Sequence, residues 1–112
     1  MLFFIGLALI LLHEMDAMRC HEWRIFPGLS QLSEHAGFYL FMMLHIPLFI
    51  VIFSNLDSPA FRRGFDIFLI IHLGLHLLFL RHPKNEFKDW LSWSIIAGAA
   101  LFGAADYLSI PR

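Results

Sequence analysis

Four stretches of this chain are long and apolar enough to need lipid around them, and no other feature restricts its fold as much. A helix rises about 1.5 Å per residue, so about 20 residues cross a hydrocarbon core of about 30 Å. Residues 2–20, 36–54, 64–81 and 89–108 come close to that length. The second is interrupted only by His45 and Pro47, the third contains His72 and His76, and the last third of the first carries His13, Glu14, Asp16 and Arg19. At 112 residues there is room for one domain, yet 59% of the chain is hydrophobic and its mean hydropathy is +0.70. A soluble domain of this size has too little interior to hide that much apolar surface. In lipid only helices and closed barrels satisfy their backbone, and the runs lack strand alternation. The sequence therefore predicts one all-α domain over residues 1–112, an integral membrane four-helix bundle.

The connections carry turn and cap signals. Pro27-Gly28 marks a turn, Ser30 or Ser33 precedes the second helix with Glu34 in its first turn, and Pro59 and Pro83 follow the second and third helices. On the fourth helix Ser92, Ala99, Gly103 and Asp106 share one face, a small-residue surface suited to close packing and to self-association. Four crossings place Arg19, Arg24, Arg81, Lys84 and Lys88 at one end and Arg62, Arg63 and Arg112 at the other. Five basic residues against three favour a cytoplasmic face for the first and third loops. Trp23, Tyr39, Trp90 and Trp93 gather at that same end, as interfacial aromatics do. Leu2–Leu12 has the length of a signal-peptide core, but no basic residue precedes it and no small-residue cleavage site follows, so it reads as a retained helix. The single cysteine, Cys20, cannot close an internal disulfide. Eight basic residues against nine acidic ones give no basis for a nucleic-acid partner.

The chemistry is concentrated in His13-Glu14-Met15-Asp16 and the residues after it. At about 100° per residue, His13, Glu14, Asp16 and His21 fall within an arc of roughly 160°. Ionisable groups at membrane depth are costly, so they face the bundle interior and have partners. His72 and His76 are four residues apart, the spacing at which two imidazoles on one helix reach a single ion. His45 is the candidate from the second helix. Counted from the loop ends of their helices, His13, His45 and His76 lie roughly 9 to 13 Å inside the same leaflet. Imidazole and carboxylate are ligands for zinc, iron or manganese, with zinc favoured. The candidate ligands are His13, His72 and His76, with His45 or Asp16 as a fourth. Glu14 and Asp16 are the candidate catalytic carboxylates, Glu14 as general base or as orienter of a ligand imidazole. His21, Glu22 and His35 read as interfacial, His82 as a loop residue, and Glu86 and Asp89 as solvent-facing. Asp106, near the opposite end, is expected to cap a helix or to pair with Arg62 or Arg112.

His13, Glu14 and Asp16 in a first helix, with His72 and His76 later, resemble the HXXEE group of uncharacterised small four-helix bacterial membrane proteins. That resemblance implies a multi-pass protein of the bacterial inner membrane with no established activity. The His72/His76 pair also resembles the HxxxH pair of ceramidase-like membrane hydrolases. Three functions remain open. One is a metal-dependent hydrolase acting on a lipid-like ester or amide. The second is a proton-coupled transporter or accessory membrane subunit using His13, Glu14, Asp16 and His45. The third is a haem protein ligated by His45 with His72 or His76.

Overall fold

The structure, a computed structural model, describes residues 1–110. Among these residues are four α-helices and no strand: α1 (Leu2–Arg19), α2 (Glu34–Ser54), α3 (Pro59–Leu78) and α4 (Trp90–Ser109). Two short 3₁₀ turns, Glu22–Arg24 and Leu29–Gln31, lie between α1 and α2. Each of the last three helices begins with a side-chain cap: Ser33 accepts from the Ala36 N–H, Ser58 from Phe61 and Asp89 from Ser92. Such caps satisfy N–H groups that have no partner inside the helix.

The third helix differs most from its apolar run, starting at Pro59 and stopping at Leu78. Ser58 followed by Pro59 forms a cap and first turn ahead of the apolar residues. At the other end the Phe79 N–H returns to the Leu75 carbonyl and the Leu80 N–H to Leu77, turning the chain away before Pro83. His76 consequently lies in the last turn of α3, shallower than a helix running to residue 81 would place it.

The helices run up and down in sequence, but they pack unevenly. α4 lies along both α1 and α3, while α1 and α3 meet each other over a shorter stretch. Gly103 sets the α3–α4 approach: a Cβ there would come within 3.1 Å of both the Asp66 carbonyl and Leu69. Ser92, Ala99, Gly103 and Asp106 are all buried, so the small-residue face of α4 is used inside the chain.

α2 leans mainly on the two 3₁₀ turns and buries only Gly37, Phe41 and Ile52. Leu40, Met43, Leu44, Ile46, Ile50 and Phe53 are exposed along its length. α2 and α4 are both long and apolar enough to cross a membrane. Two apolar clusters fill the core. One, around Phe3, Leu7, Ile10, Phe65 and Leu69, lies toward the start of α1, and the other, around Ala17, Trp23, Phe41, Phe87 and Ile96, lies toward its end.

Candidate metal centre

Helical register delivers the histidines to the interior. The inward stripe of α1 runs Phe3, Leu7, Ile10, His13, Ala17, and that of α3 runs Phe65, Leu69, His72, His76. His13 is fully buried, and His72 and His76 are 8% and 6% exposed. Their rings stand edge to face with centroids 4.4 to 4.8 Å apart. Nε2 of His13 lies 3.1 Å from Nε2 of His72.

The fourth group arrives by a backbone reversal. α1 ends at Arg19, and His21 adopts a left-handed conformation at φ 53 and ψ 50, a region that non-glycine residues seldom occupy. The turn buries Trp23 in the core and brings the Glu22 carboxylate 3.7 Å from His13 Nε2 and 3.6 Å from His76 Nε2. Ligand atoms of His13, Glu22, His72 and His76 all lie within 4.8 Å of one another.

Such a cluster can hold a metal ion. Zinc–nitrogen bonds of about 2.0–2.1 Å at a tetrahedral angle set neighbouring nitrogens about 3.3 Å apart, close to the observed His13–His72 separation. The carboxylate distances are too long for direct hydrogen bonds, so of the contacts within the group only the one between the His13 and His72 Nε2 atoms is of hydrogen-bond length. Phe87, fully buried in the α3–α4 connection, stacks on His13 and meets His76 edge-on. It is held by its N–H to Asn85 Oδ1 and by its carbonyl, which accepts from the Trp93 indole. Nδ1 of His13 and of His72 has no hydrogen-bond partner among the described residues, so packing against Phe87 and the neighbouring imidazoles orients these rings.

The remaining candidates lie in other arrangements. His45 is not in the four-residue group: its Nε2 contacts Glu14 Oε2 at 2.5 Å and its Nδ1 faces the Phe41 carbonyl at 2.8 Å. Both ring nitrogens thus face acceptors, which requires a proton beyond the neutral imidazole, on His45 or on Glu14. The hydrogen bonds of His45 thus go to Glu14 and Phe41 and not to His72 or His76, its expected haem partners. Asp16 joins α1 to α4, accepting from the Ser92 hydroxyl at 2.5 Å and from Arg19 Nε at 2.7 Å. Arg19 also donates to Asp89 Oδ2 at 3.0 Å. Accepting the Ser92 backbone N–H holds the Asp89 carboxyl below the usual range, helped by Arg19. The Cys20 thiol is buried against the Glu86 carbonyl and the Ser92 hydroxyl. Glu86 and Asp89 are exposed as the sequence suggests, but Glu86 pairs with His21 and Arg24. His35 is exposed against Tyr39, and His82 accepts from the Lys84 N–H in its loop.

The chain belongs to a family of unknown function (DUF6713). The match covers residues 1–112. No curated protein and no solved structure matches it. Membership of DUF6713 assigns no activity, which agrees with the resemblance to an uncharacterised group, and leaves the chemistry to be argued from the residues. Glu22 is the member of the cluster that helical periodicity misses. Continuing α1 for nine residues beyond His13 at about 100° each would put Glu22 on the opposite side of the helix. Only the reversal at His21 brings it back, and no residue pattern in the DUF6713 chain announces a left-handed histidine.

Proposed function

We propose that this protein spans the membrane with all four helices and holds one divalent cation, zinc favoured, between His13 of α1, His72 and His76 of α3, and Glu22 of the following turn. The convergence of these four donors carries the reading. Three imidazoles and a carboxylate suit zinc, with iron or manganese as alternatives. The membrane reading is supported by α2, of whose most apolar window only 17% is buried. A core helix of a soluble protein would be mostly covered, and full burial of each large apolar side chain is worth about 1.5–3 kcal/mol. Lipid supplies that cover. A second copy of the chain would meet α4 on its outward side, at Leu101 and Leu108.

A hydrolytic activity on a lipid-like ester or amide is the second reading, favoured by the accessibility of Glu22. Its side chain is the most exposed of the four, at 15% against 0% for His13 and 5% for His76. It sits two residues before Arg24, which lines a surface groove of about 620 Å³ together with Glu34, Lys84, Glu86 and Lys88. If Glu22 yields its position, three histidines leave the fourth for water, as in catalytic zinc sites. Glu22 would then be placed to hold the proton.

Elemental analysis and a visible spectrum of detergent-purified protein, wild type beside a His72→Ala/His76→Ala double variant, test the proposal. Near-stoichiometric zinc, iron or manganese in the wild type, lost in the variant, is the expected result. Glu22→Gln is expected to weaken binding by at least about tenfold, the scale on which even outer partners of metal sites act. A wild type that stays metal-free after supplementation ends the proposal.

A further inference from the structure

A second polar cluster lies at the other end of the bundle, and the metal centre does not involve it. Asp66 of α3 is 0% exposed, and neither of its carboxyl oxygens has a hydrogen-bond partner among the described residues. Asp106 of α4, 7% exposed, interacts directly with it. Oδ1 of Asp106 accepts the Phe3 N–H at 3.2 Å, while Oδ2 has no hydrogen-bond partner among the described residues.

The two carboxyls are not equivalent. The Phe3 N–H belongs to the first turn of α1, where N–H groups lack partners inside the helix, and Met1 provides no side-chain cap. Asp106 therefore caps α1 from a different helix and sits at the positive end of its dipole. Asp66 has no such support. Asp106 is its carboxyl neighbour, and its backbone carbonyl lies at the close approach of Gly103. Of the charged side chains among the described residues, only Arg62 acts on it besides Asp106. The Arg62 guanidinium lies over the Phe3 and Phe4 rings, 4.5 and 5.6 Å from their centroids. No ion pair reaches either aspartate among the described residues. From α1 the site is faced by the Phe3 N–H, and the α2 residue in the surrounding core cluster is the apolar Ile52. Two adjacent buried carboxylates with no direct ion pair among the described residues repel one another, and the arrangement calls for a proton.

We propose that Asp66 and Asp106 form a proton-binding site, in which Asp66 carries the proton and donates it to Oδ2 of Asp106, while Asp106 remains the anion that caps α1. The unpaired oxygens match this bond: the acid needs one acceptor and Oδ2 is free. A hard metal ion fits poorly, because it takes about six or more oxygen ligands and the two carboxyls together offer four. The site is also insulated from the histidines. Asp66 and His72 are six residues apart on α3, about 9 Å along the axis, with Leu7, Ile10, Leu69 and Ala99 of one apolar cluster packed in the interval. Proton exchange at Asp66 therefore occurs toward the end of the bundle opposite the metal centre.

Infrared spectroscopy of folded wild-type protein in detergent at neutral pH tests this directly. The expected spectrum contains a carboxylic-acid C=O band that shifts on exchange into D2O and is lost in Asp66→Asn. The amide N–H of the new side chain replaces the acid O–H, so that variant is expected to keep wild-type helicity and metal content. In native membranes, dicyclohexylcarbodiimide, which modifies protonated carboxyls in apolar surroundings, is expected to label the peptide containing Asp66. A folded wild type with no such band at neutral pH overturns the proposal whether or not the variant folds. A Tm raised by Na+ or Ca2+ in the wild type but not in Asp66→Asn also overturns it, by identifying a metal cation as the occupant.

Discussion

Asp16 shows how one side chain can look catalytic in a sequence and serve as a tie in the fold. Its position three residues after His13 suggested a ligand or base, but its two oxygens are taken by Ser92 and Arg19. Ser92 is fully buried, so replacing it leaves one oxygen of a charged group without its donor. Ser92→Ala is expected to destabilise the protein by about 1–3 kcal/mol, the usual cost of a buried polar group left unpaired. Unfolding in a denaturing detergent titration measures it, and metal content is expected to be unchanged in the fraction that remains folded. The three histidines of the centre were legible because helix geometry alone aligns His72 with His76 and turns His13 inward. Glu22 was not legible, because its placement depends on the φ of His21 and not on any spacing.

Among the elements, α4 organises the molecule, and the glycines of α3 and α4 are not equivalent. Gly103 lies against backbone and side chain of α3, whereas a Cβ on Gly74 of α3 would meet nothing within 4 Å. Gly103→Val is expected to cost about 1–3 kcal/mol through overpacking. Gly74→Ala is expected to gain about 0.5–1 kcal/mol by removing a helix-interior glycine. Thermal unfolding of the two variants side by side checks both signs. The number and order of the helices were readable from apolar runs of spanning length, and the inward face of α4 from its small residues. The ends of α3 were less readable. Hydrophobicity shows where lipid is tolerated, whereas the Ser58 cap and the turn after Leu78 decide where the backbone stops being helical.

At the scale of the whole molecule, the predicted bundle is a three-helix core with α2 at its flank. That asymmetry could not be read from the chain, since α2 is as apolar as any core helix and only its partners distinguish it. Contacts between Phe3 and Asp106 and between Arg19 and Asp89 make α1 and α4 antiparallel. The start of α1 and the end of α4 thus share one end of the bundle, and residues 20–33 and 79–89 share the other; in the proposed four-span arrangement these ends face opposite sides of the membrane. Cysteines placed one at a time at Met1 and Ser109 are expected to react with a membrane-impermeant thiol reagent from one face, and those at Gly28 and Lys84 from the opposite face. Any other pattern would contradict a four-span arrangement.

The pairing of the first helix with the last also has a consequence for how the protein is made. The tie from Arg19 to Asp89 spans 70 residues, and α2, the neighbour synthesised next, covers little of α1. In a four-span chain, α1 would therefore rest in the bilayer during translation with His13 lacking its α3 partners, and Asp16 held by Arg19 alone, until α3 and then α4 emerge. Contacts this distant in sequence slow folding, so such a chain would pass through an interval in which its half-made form shows its titratable face to lipid. A membrane insertase or chaperone able to shelter a lone polar helix would find its substrate in that interval.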